Sequence, residues 1–220
     1  MVFMCVCVCF DLFSTSLINS SMADLMMPKL INLLSSLLQR AAESNDLNRP
    51  LHTQKISIFY GLIRPNISIE KYLERIFRYA NCSPSCYVVA YVYLDRFVKS
   101  QPFLPINSFN VHRLLVTSVL ISIKFMDDIC FNNAYYAKVG GISTVEINLL
   151  EVDFLFGLGF QLNVTPETFR DYCTYLQSEM MMGFPPVCSA PPVLTMGADH
   201  CAIINEDDCQ SQHHQPQLAV

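Results

Sequence analysis

Acids that fall among apolar neighbours are the residues with chemistry to offer. Glu151 lies on the helical stripe Ile147, Glu151, Leu155, Leu158, in a segment otherwise dominated by Leu, Val and Phe. A carboxylate on a burying face needs a partner, because an unpaired buried charge is costly. Lys124, at the exit of the most apolar stretch of the chain, is the natural one. Three arrangements fit: an internal salt bridge, a lysine meeting its own helix C-terminus, or a pair presented together to another protein. Asp95-Arg96 follows Tyr91, Tyr93 and Leu94 in a second apolar segment. Asp95 is expected to form a structural ion pair with Arg75 that holds two helices together.

Other constellations are weaker. Asp127-Asp128 resembles the magnesium-binding aspartates of helical isoprenoid enzymes. The run is DDICF, without a third acid one turn on, and a Mg²⁺ site needs more oxygen ligands than that. Cys82 with Cys86, and His200, Cys201, Cys209 and His213, match no structural zinc spacing, so no metal or other cofactor is expected. There is no phosphate-binding Gly-rich loop, no nucleophile elbow and no kinase catalytic loop, so the chain is not read as an enzyme.

The elements that must position these residues read as helices. Leu114–Ile123 is apolar or small on every side of a helical wheel, inside NVHRLLVTSVLISIKFMDD (110–128). Such a helix must be enclosed by other helices or by lipid. Its uncharged run is ten residues, bounded by Arg113 and Lys124, and a bilayer needs about 20. Helices are further expected over Lys29–Glu43, after the cap Ser68, from Ser83-Pro84 to Lys99, from Asn132-Asn133 to Gly140-Gly141, from the capping box Ser143–Glu146 to about Gly159, and from Thr165-Pro166 to near Gly183. No segment carries a period-two pattern, so the fold is all-α.

Hydrophobic residues are 52% and charged ones 15%, below the roughly 25% usual for soluble domains. So little surface charge suggests that a partner covers part of the surface. A net charge of −5, with 14 Lys plus Arg forming no run, argues against nucleic acid as the main ligand. The ten cysteines cluster in the two ends, except Cys82, Cys86, Cys130 and Cys173, which look like small buried hydrophobes. Reduced, intracellular thiols are expected, since a disulfide framework belongs to chains lacking a core. MVFMCVCVCFDLF has no basic residue ahead of it and no clear cleavage site. Translation from Met22 would leave residues 1–21 as an extension of no structural consequence. The expected divisions are that extension, an N-terminal helix and linker (22–52), a helical domain (53–163), a C-terminal helix (164–183) and a disordered tail (184–220).

YVVAYVYLDRF (87–97), LLVTSVLISIKFMDD (114–128), NNAYYAKVGGIS (132–143) and EINLLEVDFLFGLGF (146–160), taken together, resemble a cyclin box. ISIEKYLERIFRYANCSPSCYVVAYVYLDRF is most similar to the single-box U-type (P-type) plant cyclins, relatives of fungal phosphate-signalling cyclins. The resemblance implies a five-helix box with flanking helices that binds and activates a cyclin-dependent kinase, in cell-cycle or nutrient signalling. In that family a lysine ending the third helix and a glutamate in the fifth contact the kinase's regulatory helix; they match Lys124 and Glu151. Nearby apolar contacts map onto Phe125, Leu155 and Phe160. Neither nucleic acid nor membrane is implied as a partner, and the location implied is nuclear, cytoplasmic or both. No MRAIL-like sequence precedes the box and no second box follows, which puts the substrate-docking patch of cell-cycle cyclins in doubt. The alternative is an all-α scaffold on the same fold with no kinase partner, and a third class is a magnesium enzyme using Asp127 and Asp128.

Overall fold

The computed structural model describes residues 20–48 and 57–182, with side chains from Met27 onward. Expectations for residues 1–19, for the tail beyond Met182 and for the cysteines and histidines there lie outside the described residues. Seven helices and no strand are found among those described: α1 (Ser20–Asn48), α2 (Ile69–Tyr79), α3 (Ser85–Ser100), α4 (Val111–Met126), α5 (Asn133–Gly140), α6 (Thr144–Gly157) and α7 (Pro166–Met182). The chain is all-α, as its periodicity requires. None of these helices is long and apolar enough to cross a membrane.

Residues Leu114 to Ile123 of α4 are all buried, and α2, α3, α5 and α6 pack around them. That is the enclosure demanded by a helix with no polar side. α7 closes the far side against α1 and α3. α1 is longer than Lys29–Glu43 and continues through Pro28. An interior proline costs a helix about 3 kcal/mol; burial of Leu30, Ile31, Leu34, Leu37 and Leu38 offsets it.

Most helix starts obey local capping. The Ser68, Asn132, Ser143 and Thr165 side chains each accept from the N–H three residues on, at 3.0–3.2 Å. Gly141 ends α5 in the left-handed region at φ 70°. Only half of the Ser143–Glu146 box forms, because the Glu146 carboxylate pairs with Arg113. Ser83 departs from expectation. Pro84, not Ser83, takes the cap position of α3 and makes no side-chain cap bond. Ser83 instead donates its hydroxyl to Asp127 Oδ1 at 2.7 Å and its N–H to Oδ2 at 3.0 Å. Both Asp127 oxygens therefore clasp the α2–α3 turn to the end of α4.

The Asp95–Arg75 pair is a correction. Asp95 is fully buried, bridged to Lys99 on its own helix at 3.0 Å and accepting from the Tyr172 hydroxyl at 2.5 Å. It does join two helices, but they are α3 and α7. Arg75 donates to the Lys138 carbonyl at 2.8 Å and lies against Gly141, at the C-terminus of α5. There the helix dipole favours a cation, and the Lys138 carbonyl, which also accepts from the Gly141 N–H at 3.3 Å, takes a second donor.

Candidate partner-docking face

Lys124 ends the buried run of α4 and is carried to the surface by the last turn. Glu151 stands one helix away on α6, at the margin of the face formed by Ile147, Leu150, Phe154 and Leu158. Lys124 Nζ lies 2.6 Å from Glu151 Oε1, with the two side chains 34% and 15% exposed. The second carboxylate oxygen accepts from Asn133 Nδ2 at 2.7 Å, and the same amide reaches Asn148 Oδ1 at 2.7 Å. The pair is thus formed, oriented from three helices, and open to solvent on the lysine side. Of the arrangements left open by the residues, Lys124 meeting only its own helix end does not describe this geometry.

Phe125 and Leu155 are half-buried beside the pair, and Phe160 is 57% exposed. Phe160 has φ 58° and follows Gly159 at φ 59°. For a bulky side chain the left-handed region costs about 1–3 kcal/mol and persists only where neighbouring structure imposes it. That structure is visible. The Phe160 N–H returns to the Leu155 carbonyl at 3.0 Å. Three α3 side chains grip the surrounding segment: Ser100 donates to the Gly157 carbonyl at 2.6 Å, Tyr93 to that of Leu162 at 2.8 Å, and Arg96 to those of Gln161 and Asn163 at 2.9 Å. An aromatic ring is held outward against both strain and the hydrophobic effect.

A further set escaped the reading of the residues. Val145, Leu149, Val152 and Phe156, spaced four, three and four apart, form a stripe on α6, each more than half exposed. It lies opposite the buried stripe and beside Leu155 and Glu151. The Phe156 ring meets that of Phe160 edge-on at 5.2 Å between centroids. The available signal was that α6 is apolar on two sides, which spacing shows but cannot assign to core or surface.

No group of three or more His, Cys, Asp or Glu that could hold a metal ion occurs among the described residues. An ion pair rimmed by exposed apolar side chains suits recognition of another protein's helix rather than turnover of a small molecule.

A model of the cyclin family matches residues 19–162, well over half the chain. The chain belongs to the cyclin family. Cyclin-U4-1 of Arabidopsis thaliana is 61% identical over 197 residues, covering 88% of this chain and 96% of that protein. Cyclin-U4-2 of the same plant is 64% identical over 163 residues, 73% and 75% of the two chains. Cyclin-P4-1 of Oryza sativa subsp. japonica is 56% identical over 186 residues, 82% and 85%. This cyclin therefore stands with the plant U and P types, and its role is a regulatory one, as is that of cyclins in general. The lysine and glutamate picked out by resemblance, 27 residues apart in the chain, meet on its surface.

Proposed function

We propose that this cyclin is the activating subunit of a cyclin-dependent serine/threonine kinase, which docks on the face carrying Lys124 and Glu151. The observation supporting this most directly is that the 2.6 Å pair lies at the surface, rimmed by Phe125, Leu155 and Phe160, instead of being sealed in the core. Activation would follow from differential binding. A cyclin that contacts the kinase's regulatory helix only in its inward position shifts the population toward the active arrangement, without doing chemistry itself. Its location, nuclear, cytoplasmic or both, would then be that of the kinase.

Capture of a cyclin-dependent kinase by the full chain, with phosphorylation of a peptide substrate as readout, tests this. Lys124→Ala with Glu151→Ala is expected to weaken capture by at least about tenfold. The same change should leave the melting curve nearly unmoved, since a partly exposed pair contributes about 1 kcal/mol or less. Equal capture by a folded double variant would remove these residues from the docking face. Wild type that binds no such kinase, or binds one without stimulating it, would favour the scaffold.

A further inference from the structure

A cleft of about 280 Å³ lies where the end of α3, the last turn of α6 and the segment beginning at Ser57 meet. Ser57, Ile58, Phe97, Gln101, Asp153 and Phe156 are among its lining. The Phe97 ring is buried, stacks on Phe154 and lies against the bare backbone of Gly157. Ser100 ties the two helix ends together through the Gly157 carbonyl at 2.6 Å. Ile58 and Phe156 stay 45% and 68% exposed. Whole small-molecule ligands occupy pockets of roughly 300–1,000 Å³, so this space suits a single long side chain. Its electrostatics have one sign. Asp153 is the one charged group among the described residues that line it, and it is exposed with no ion-pair partner among them. The C-terminal ends of α3 and α6 border the cleft, and a helix C-terminus carries partial negative charge. α6 has no basic residue in its last turn, and Lys99 in that of α3 is bridged to Asp95. Arg96 is spent on the Gln161 and Asn163 carbonyls.

We infer that this cleft receives an arginine side chain of the protein that docks on α6, which, resting on the function proposed above, is the kinase. Arginine fits each part of the lining. Its planar guanidinium stacks on an aromatic face such as Phe156 and donates to the Asp153 carboxylate at the same time. Its hydrocarbon stem covers the apolar surface of Ile58 and Phe97. Lysine, a compact and strongly hydrated charge, matches the ring less well. An acidic or wholly apolar side chain would leave Asp153 desolvated and unpaired, which is costly. The cleft is continuous with the docking face, because the Phe156 ring that rims it also meets Phe160 at 5.2 Å. A charge pair at the rim of such a face decides between partners more than it adds affinity. Asp153 therefore selects among kinases, favouring those that present a guanidinium at this edge.

Kinase capture by the full chain is compared for wild type, Asp153→Asn and Asp153→Lys. The Asn variant is expected to weaken capture about fivefold and the Lys variant at least about tenfold. Melting curves should not move, since Asp153 is exposed. Added salt should narrow the gap between wild type and Asp153→Asn. A second arm needs no kinase. Acetyl-arginine amide and its neutral counterpart acetyl-citrulline amide are titrated into the chain while the backbone amide resonances of Gln101 and Gly157 are followed. Only the arginine compound should shift them, and Asp153→Asn should abolish the shift. Wild type that captures no kinase removes the kinase as occupant, and the two amides then decide the cleft by themselves. The inference is overturned if Asp153→Asn captures the kinase as wild type does, or if the two amides act alike. It is overturned too if the arginine compound acts only after Lys55→Gln, which would assign the cleft to this chain's own lysine.

Discussion

α4 and α6 are both apolar around most of their circumference, yet the molecule treats them oppositely. α4 is enclosed by four helices over ten consecutive residues. α6 is covered on one side and leaves Val145, Leu149, Val152 and Phe156 in water. Composition cannot separate the two cases, because an apolar side chain looks the same whether its cover comes from its own chain or from another. A monomer keeps such an exposed stripe only against the hydrophobic effect, and stripes of this kind mark sites of association.

The widest separation between these helices should appear on truncation. Leu120→Ala in α4 is expected to cost about 2–5 kcal/mol through lost burial and the cavity left behind. Val152→Ala on the open side of α6 should stay within about 0.5 kcal/mol. Urea unfolding of both variants measures this, and equal losses would mean that the stripe is covered after all. The covered edge of α6 gives the next largest effect. A Cβ at Gly157 would lie 2.3 Å from Phe97, whose ring stacks on Phe154 at 4.5 Å. Gly157→Ala should therefore destabilise by about 1–3 kcal/mol, read as a lower melting temperature.

Phe160→Asn sharpens the contrast from the open side. Asn tolerates the left-handed region, so stability should hold or rise by up to about 1 kcal/mol while kinase capture falls. A variant that melts clearly below wild type would show the ring to be a packing element.

The smallest effect lies at the start of α4. His112 Nε2 faces the Ile67 carbonyl at 2.9 Å and so carries the proton, leaving Nδ1 buried without a partner. Burial lowers its pKa from 6.5, opposed by the bond to Ile67. The folded state then binds fewer protons than the unfolded one, so stability is full above pH 6.5 and declines as pH falls toward the folded value. Melting curves between pH 7.5 and about 5 should show this decline, and His112→Gln should flatten it.

What could be read from the residues follows the range of the interactions. The enclosure of α4 was legible because ten residues without a polar side leave no other solution. The caps at Ser68, Asn132, Ser143 and Thr165 were legible because donor and acceptor lie three residues apart. Ser83 looked the same locally and failed, since its hydroxyl is taken by Asp127, 44 residues on. Asp95 was rightly expected to pair internally, but its partners depend on which helices cross, and the crossing brings Tyr172 from α7 rather than Arg75. Of the four cysteines expected to be buried, Cys86 and Cys173 are, Cys82 is half-covered and Cys130 lies in the open α4–α5 loop. The meeting of Lys124 and Glu151 was approachable from an acid amid apolar neighbours. The exposed side of α6 was not, for the reason given by its comparison with α4.

Asn133 sets one more condition on that surface. With Lys124 on one oxygen and the Asn133 amide on the other, Glu151 arrives at any encounter already frozen in a single rotamer. A free glutamate loses about 1.5–2 kcal/mol of side-chain freedom when immobilised, and here that loss was incurred during folding. Association at this spot would therefore be rigid-body in character, with dissociation rather than adjustment governing how long a complex lasts.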